Sequence, residues 1–192
     1  MSTPTHIGPL GLYGGSFDPP HRGHVELARR AKEALGLGRL LVLVSADPGH
    51  KHVETPAGIR LRLAQAAFPD DKVVLDEHPR TIDLLRAHPE WSDPIFLIGA
   101  DQFRGFLAWK EPNEVLRHAC VAVATRPGFP HEELEPVLAQ LEHPERVLFF
   151  EIDPTPVASR ELRDRLAAGE EIGPEVPAAV AELIRSEGLY RS

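Results

Sequence analysis

Short apolar runs alternate with helical patterns along almost the whole chain, and this alternation constrains the fold most. Leu10–Tyr13, Leu40–Ser45, Val73–Leu75, Pro94–Ile98, Cys120–Ala124 and Val147–Phe150 read as strands. Several are near-continuous apolar runs, as strands covered on both faces are. Between them Arg22–Leu35, Ala57–Phe68, Thr81–Ala87, Gln102–Leu107, Glu114–Arg117 and Glu132–Leu141 read as helices. Arg160–Ala167 and Pro177–Ser186 close the chain as two more. Strands that alternate with helices predict an α/β fold: a doubly wound, Rossmann-like parallel sheet with helices on both faces. No repeat or linker interrupts the 192 residues, so one domain over 1–192 is expected. Ligands of such sheets bind beyond the carboxyl ends of the strands. Gly14–His24, Asp47–Thr55, Gly99–Asp101 and Arg126–Pro130 all fall there.

The first of these segments, Gly-Gly-Ser-Phe-Asp-Pro-Pro-His-Arg-Gly-His, joins a strand to a helix. Strand, glycine-rich turn and helix N-terminus together suit a phosphate. Gly14 and Gly15 are expected to give a tight turn and let a ligand approach the backbone. His21 and His24 stand three apart, on one face of a first helical turn. Two imidazoles at a phosphate site suggest stabilisation of charge on phosphorus oxygens. A metal site is the competing reading, but i, i+3 histidines need more ligands and the window offers only Asp18.

The remaining composition excludes several classes. A net charge of −8 argues against a nucleic-acid or membrane-surface binder. No run of 18 apolar residues and no cationic, apolar leader occur, so neither a membrane span nor a signal segment is expected. Cys120, the lone cysteine, forms no intrachain disulfide and fits a reducing, cytoplasmic compartment.

Residues 14–24 closely resemble the His-x-Gly-His signature of the nucleotidyltransferase superfamily, and within it bacterial nicotinate-nucleotide adenylyltransferases. Further segments from Leu12 to Tyr190 extend the resemblance. The resemblance implies transfer of AMP from ATP to nicotinate mononucleotide, giving deamido-NAD and pyrophosphate. It implies His21, His24 and Arg163 as catalytic residues. The ATP site would comprise Gly14, Gly15, Ser16, Phe17, His21, His24, Lys51, Gly99, Asp101, Ser159, Arg160 and Arg163. The mononucleotide site would comprise Arg80, Thr81, Asp83, Trp109 and Arg126. Mg2+ is expected to ride on the ATP phosphates, with no protein metal site. The partners are then ATP and the mononucleotide, with oligomeric state left open.

Some positions depart from the family pattern. Gly49 replaces a proline beside His50, Lys51 and His52; Arg80 replaces an aromatic; Ala158 and Arg160 replace hydroxyl residues. Other positions keep a plainer reading. Asp101 accepts from ribose hydroxyls, caps the next helix, or does both. Trp109 stacks on a pyridine ring or packs under a helix. Ser159 contacts phosphate or serves as an N-cap. Adenylation of nicotinamide mononucleotide or phosphopantetheine, and a nucleotide-binding regulator without turnover, are the alternatives.

Overall fold

The computed structural model describes residues 8–48, 53 and 55–191. Six strands form one sheet: β1 Leu10–Gly15, β2 Arg39–Ser45, β3 Lys72–Asp76, β4 Ile95–Gly99, β5 Cys120–Thr125 and β6 Val147–Glu151. Their order is β3-β2-β1-β4-β5-β6, and every pair is parallel. The order reverses between β1 and β4. In open α/β sheets the carboxyl ends of the strands beside such a switch point are where ligands bind.

Among the described residues eight α-helices cover the two faces. These are α1 Arg22–Leu35, α2 Ala57–Ala67, α3 Thr81–Ala87, α4 Ala100–Arg104, α5 Pro112–His118, α6 Glu135–Leu138, α7 Ser159–Ala167 and α8 Ala178–Glu187. Alternate strand residues feed opposite cores. Val42 and Val44 of β2 and Leu97 of β4 pack with Leu27 of α1, Leu63 of α2, Leu162 of α7 and Val180 of α8. Leu43, Phe96 and Ile98 point the other way, onto Ile82 of α3, Phe103 of α4 and Leu116 of α5. Burying each such side chain contributes roughly 1.5–3 kcal/mol before chain entropy is charged against it.

Helix ends follow from sequence. Gly36 stops α1 in the left-handed region at φ 61°, where only glycine is at ease. Pro112 opens α5, at a position whose N–H would be unpaired in any case. The expected single helix Glu132–Leu141 is not formed. A 3-10 turn at His131–Glu133 gives way to the short α6, with Pro136 at its start. Pro136 has no N–H for the carbonyl of Glu132, so one continuous helix cannot run through it. Likewise Gln102–Leu107 divides into α4 and a 3-10 turn at Phe106–Ala108. A cavity of about 780 Å³ opens beside β2 and β3, lined by Leu41, Leu43, Val74, Leu84 and Trp91, but no residue of the 14–24 segment reaches it.

Candidate active site

β1 ends at the switch point, and the chain turns through residues 16–21 into α1. Gly14 and Gly15 are the last two residues of the strand, so the expected tight turn is not at these glycines. Space demands them instead. A Cβ at Gly15 would lie 2.9 Å from the Phe17 ring, and one at Gly14 3.3 Å from Phe96. The turn is made by Phe17, with φ 49°, followed by a cis Asp18–Pro19 bond. The Phe17 ring is buried against Tyr13, Phe68 and His24. That ring is core, so Phe17 can meet ATP only through its backbone.

His21 is the N-cap of α1 and His24 its third residue. The His21 backbone N–H donates to Nδ1 of His24 over 3.1 Å. An Nδ1 that accepts cannot carry the proton, so His24 is neutral with its hydrogen on Nε2. The two rings touch at a tilt, with centroids 3.8 Å apart and planes 34° from parallel. Burial pushes the His21 imidazole down to about 4, so it is neutral at pH 7. Its Nδ1 is buried without a hydrogen-bond partner among the described residues, an unusual condition for a native polar atom. Gly23 is required by this pair: a Cβ there would meet Cε1 and Nδ1 of His21 at 3.0 and 3.1 Å.

α7 brings two candidates to the same turn. Ser159 Oγ donates to the carbonyl of Pro19 at 2.9 Å. Ser159 is therefore the first helical residue and not the N-cap, which is Ala158. Arg163 Nη1 donates to the Asp18 carbonyl at 2.7 Å and lies 3.9 Å from the Asp18 carboxylate. Arg160, by contrast, is exposed and lines a separate cavity with Glu161, Asp164 and Glu170. Nothing in the structure joins Arg160 to the histidines. Lys51 lies outside the described residues.

The other strand ends carry the remaining candidates. Gly99 is the N-cap of α4, with its N–H on Gln102 Oε1. Asp101 consequently does not cap that helix. It is exposed and paired with Arg104 at 2.8 Å. Thr81 opens α3, half-buried, while Arg80 turns its guanidinium back onto the Pro79 carbonyl. Asp83 is held by Lys110 at 2.7 Å. Trp109 is half-buried, with Phe106 at 5.1 Å and Phe96 at 6.1 Å. Arg126 is exposed and begins a turn closed by Phe129 N–H on its carbonyl, with Gly128 at φ 75°.

Three residues beneath the turn escaped the sequence reading as site residues. Arg60 is 1% exposed and donates to four carbonyls: Ser16 at 2.9 Å, Ser45 at 2.8 Å, Ala46 at 3.1 Å and Thr55 at 3.0 Å. It ties the β1–α1 turn to both flanks of the β2–α2 loop. Its signal was present, since Arg60 occupies the apolar stripe of α2 with Leu63, Ala64 and Ala67. Asp18 is 2% exposed, and Tyr190, at the far end of the chain, donates its hydroxyl to Asp18 Oδ1 at 2.7 Å. Asp18 therefore faces a phenol and arginines rather than the histidines. Among the described residues no group of three or more His, Cys, Asp or Glu side chains stands close enough to share a metal ion.

A parallel sheet ordered β3-β2-β1-β4-β5-β6, with His-x-Gly-His at its switch point, defines a nucleotidyltransferase-type fold. A cytidylyltransferase-like family model matches residues 12–165. A curated relative from Thermus thermophilus is 36% identical over 95% of this chain and 99% of its own length. One from Rubrobacter xylanophilus is 32% identical over 95% and 92%. Both carry the name probable nicotinate-nucleotide adenylyltransferase. The nicotinic acid mononucleotide adenylyltransferase of Plasmodium falciparum, solved with NaAD, superposes with a TM-score of 0.74 at 18% identity. It covers 95% of this chain and 97% of its own, and establishes the likeness of fold. The chain belongs to the nicotinate-nucleotide adenylyltransferase family.

Proposed function

We propose that this enzyme transfers the adenylyl group of ATP to nicotinate mononucleotide, a step of NAD biosynthesis. The names of the relatives at 32–36% identity support the substrates. A phosphate oxygen of the mononucleotide attacks the α-phosphorus of ATP in line. The bond from the α-phosphorus to the bridging oxygen breaks, pyrophosphate leaves, and deamido-NAD forms. The attacking oxygen is already anionic, so no protein base is needed. The protein's task is to hold two anions together and to disperse charge at the transferred phosphorus.

The observation that carries this reading is the bond from His21 N–H to His24 Nδ1. It fixes a neutral imidazole whose Nε2–H is a donor for an α-phosphate oxygen. His21, neutral and tilted against it, adds a second polar ring without a second charge. Arg163, half-exposed beside the same turn, takes the leaving pyrophosphate, with Lys51 and Ser159 as further candidates. Gly99 supports close approach of the nucleoside, since a Cβ there would meet no protein atom within 4 Å. Trp109 offers an aromatic surface for the pyridine ring, and the Thr81 region and Arg126 offer donors for its acid and phosphate groups. Transfer of this kind draws on a divalent cation. We assign magnesium to the ATP phosphates, as part of the substrate. The lone, half-buried Cys120, whose thiol burial pushes up, fits a reducing cytoplasm. Among the described residues no helix is long and apolar enough to cross a membrane.

His24→Ala tests the assignment. One lost donor at a developing charge costs roughly 2.7–4 kcal/mol, about 100- to 1000-fold in kcat, with ATP affinity little changed. Near-normal kcat in the variant would remove His24 from the chemistry.

A further inference from the structure

The C-terminal Tyr190 reaches across 172 positions of sequence to the turn that carries the histidines. Its partner, the Asp18 carboxylate, is almost wholly buried, where an unsatisfied charge is costly. The carboxylate's two oxygens are treated differently. Oδ1 accepts the Tyr190 hydroxyl at 2.7 Å, a full hydrogen bond. Oδ2 stays 3.9 Å from Arg163 Nη1, a loose ion pair. Arg163 is placed by a different atom of the same residue, the Asp18 carbonyl, at 2.7 Å. Arg60 adds attraction to the carboxylate from below, but four of its five N–H groups go to the four carbonyls. Thr55 lies in the same cluster: its carbonyl accepts from Arg60, and its side chain favours the charged form of the Tyr190 phenol.

This arrangement leaves Arg163 with unspent donors. A guanidinium has five N–H groups, and one of them goes to the Asp18 carbonyl. Without the phenol, Oδ1 would need a new donor. Among the described residues Arg163 keeps four N–H groups unspent against one on the fixed, buried Arg60, and is the cation better able to supply it. A charge-assisted bond of ordinary length would draw it inward from 3.9 Å. Its guanidinium would then be turned from the side where an anion can arrive.

We propose that Tyr190 and Asp18 are positioning residues for Arg163: the phenol occupies one carboxylate oxygen, so that Asp18 orients the arginine without capturing it. The C-terminus thereby acts on the pyrophosphate end of the site. This inference rests on the reading of Arg163 as the pyrophosphate ligand. Burial and the Asp18 charge both push the Tyr190 phenol upward, so it remains a donor across the working pH range.

A double-mutant cycle separates positioning from mere structural support. Tyr190→Phe should lower kcat/KM for ATP about tenfold, within the range of measured pairwise couplings, and leave the mononucleotide KM within about twofold. In an Arg163→Ala background the same change should cost less than about twofold, because the group it positions is gone. If Tyr190→Phe does not fold, Asp18→Asn is combined with it. This removes the capturing charge and keeps the backbone carbonyl that places Arg163. The pair must then hold kcat/KM for ATP within about twofold of wild type, and a loss of about tenfold there overturns the proposal. Wild-type kinetics in Tyr190→Phe, or equal losses in both backgrounds, overturn the proposal. Normal ATP kinetics in Arg163→Ala alone would instead refute the pyrophosphate reading of Arg163, and the positioning role with it.

Discussion

Gly23→Ala sets stability against activity at one atom. Gly23 is the second residue of α1, and a helix interior prefers alanine by about 1 kcal/mol. Its new Cβ, however, would sit 3.0 Å from His21 Cε1 and 3.1 Å from Nδ1, where ordinary contact begins near 3.4 Å. The His21 ring must yield by a few tenths of an ångström. It is buried and in contact with the His24 ring at 3.8 Å between centroids, so the shift passes into the pair. Overpacking of this kind costs about 1–3 kcal/mol, which largely cancels the helix gain. Net stability should therefore change by no more than about 2 kcal/mol. Catalysis has no such compensation. A full ångström of misplacement costs about 100-fold, so a shift of a few tenths predicts roughly a tenfold fall in kcat. Urea melts and steady-state kinetics on the same preparation measure both quantities. Wild-type kcat in Gly23→Ala would show that the placement of the imidazoles is not what limits turnover.

The depressed His21 pKa makes a prediction for pH. Between pH 6.5 and 4 the unfolded chain binds the His21 proton and the folded chain does not, so stability falls as pH falls. The loss approaches about 3 kcal/mol by pH 4, and His21→Asn should flatten that part of the urea-melt profile relative to wild type. An unchanged slope would show that His21 is not held neutral by burial. Trp109→Ala should raise the mononucleotide KM by roughly 1–3 kcal/mol of lost stacking and leave the ATP KM nearly constant. Equal effects on both substrates would mark Trp109 as a packing residue.

The sequence was most readable where one local rule decides an element. Arg22–Leu35 and Thr81–Ala87 begin and end as expected, and the six apolar runs mark the six strands within one or two residues at either end. Glu132–Leu141 shows the limit, since its periodicity suits a helix while Pro136 breaks the backbone bonding. At the site, the spacing of His21 and His24 was legible, but their tautomers were not. Those depend on one backbone N–H whose direction is set by the turn through Phe17. The reach of Tyr190 to Asp18 had no local signal, because only the closed fold brings residues 172 apart together. Arg60 had one, a charge on an apolar stripe, and its meaning became clear with the four carbonyls around it. Arg160 was the opposite case, a phosphate-suited residue that α7 turns toward another cavity.

Acceptor choice tests the central claim most directly. Purified protein is supplied with ATP, magnesium and either nicotinate or nicotinamide mononucleotide, and pyrophosphate and dinucleotide are quantified together. With the acid, pyrophosphate and deamido-NAD should appear in equal amounts. The value of kcat/KM should exceed that for the amide by a large factor, up to about 10⁴, as expected of a site built around polar pairing. Equal values for the two acceptors would contradict the acid-specific reading, and no acceptor-dependent pyrophosphate release would contradict adenylyl transfer itself.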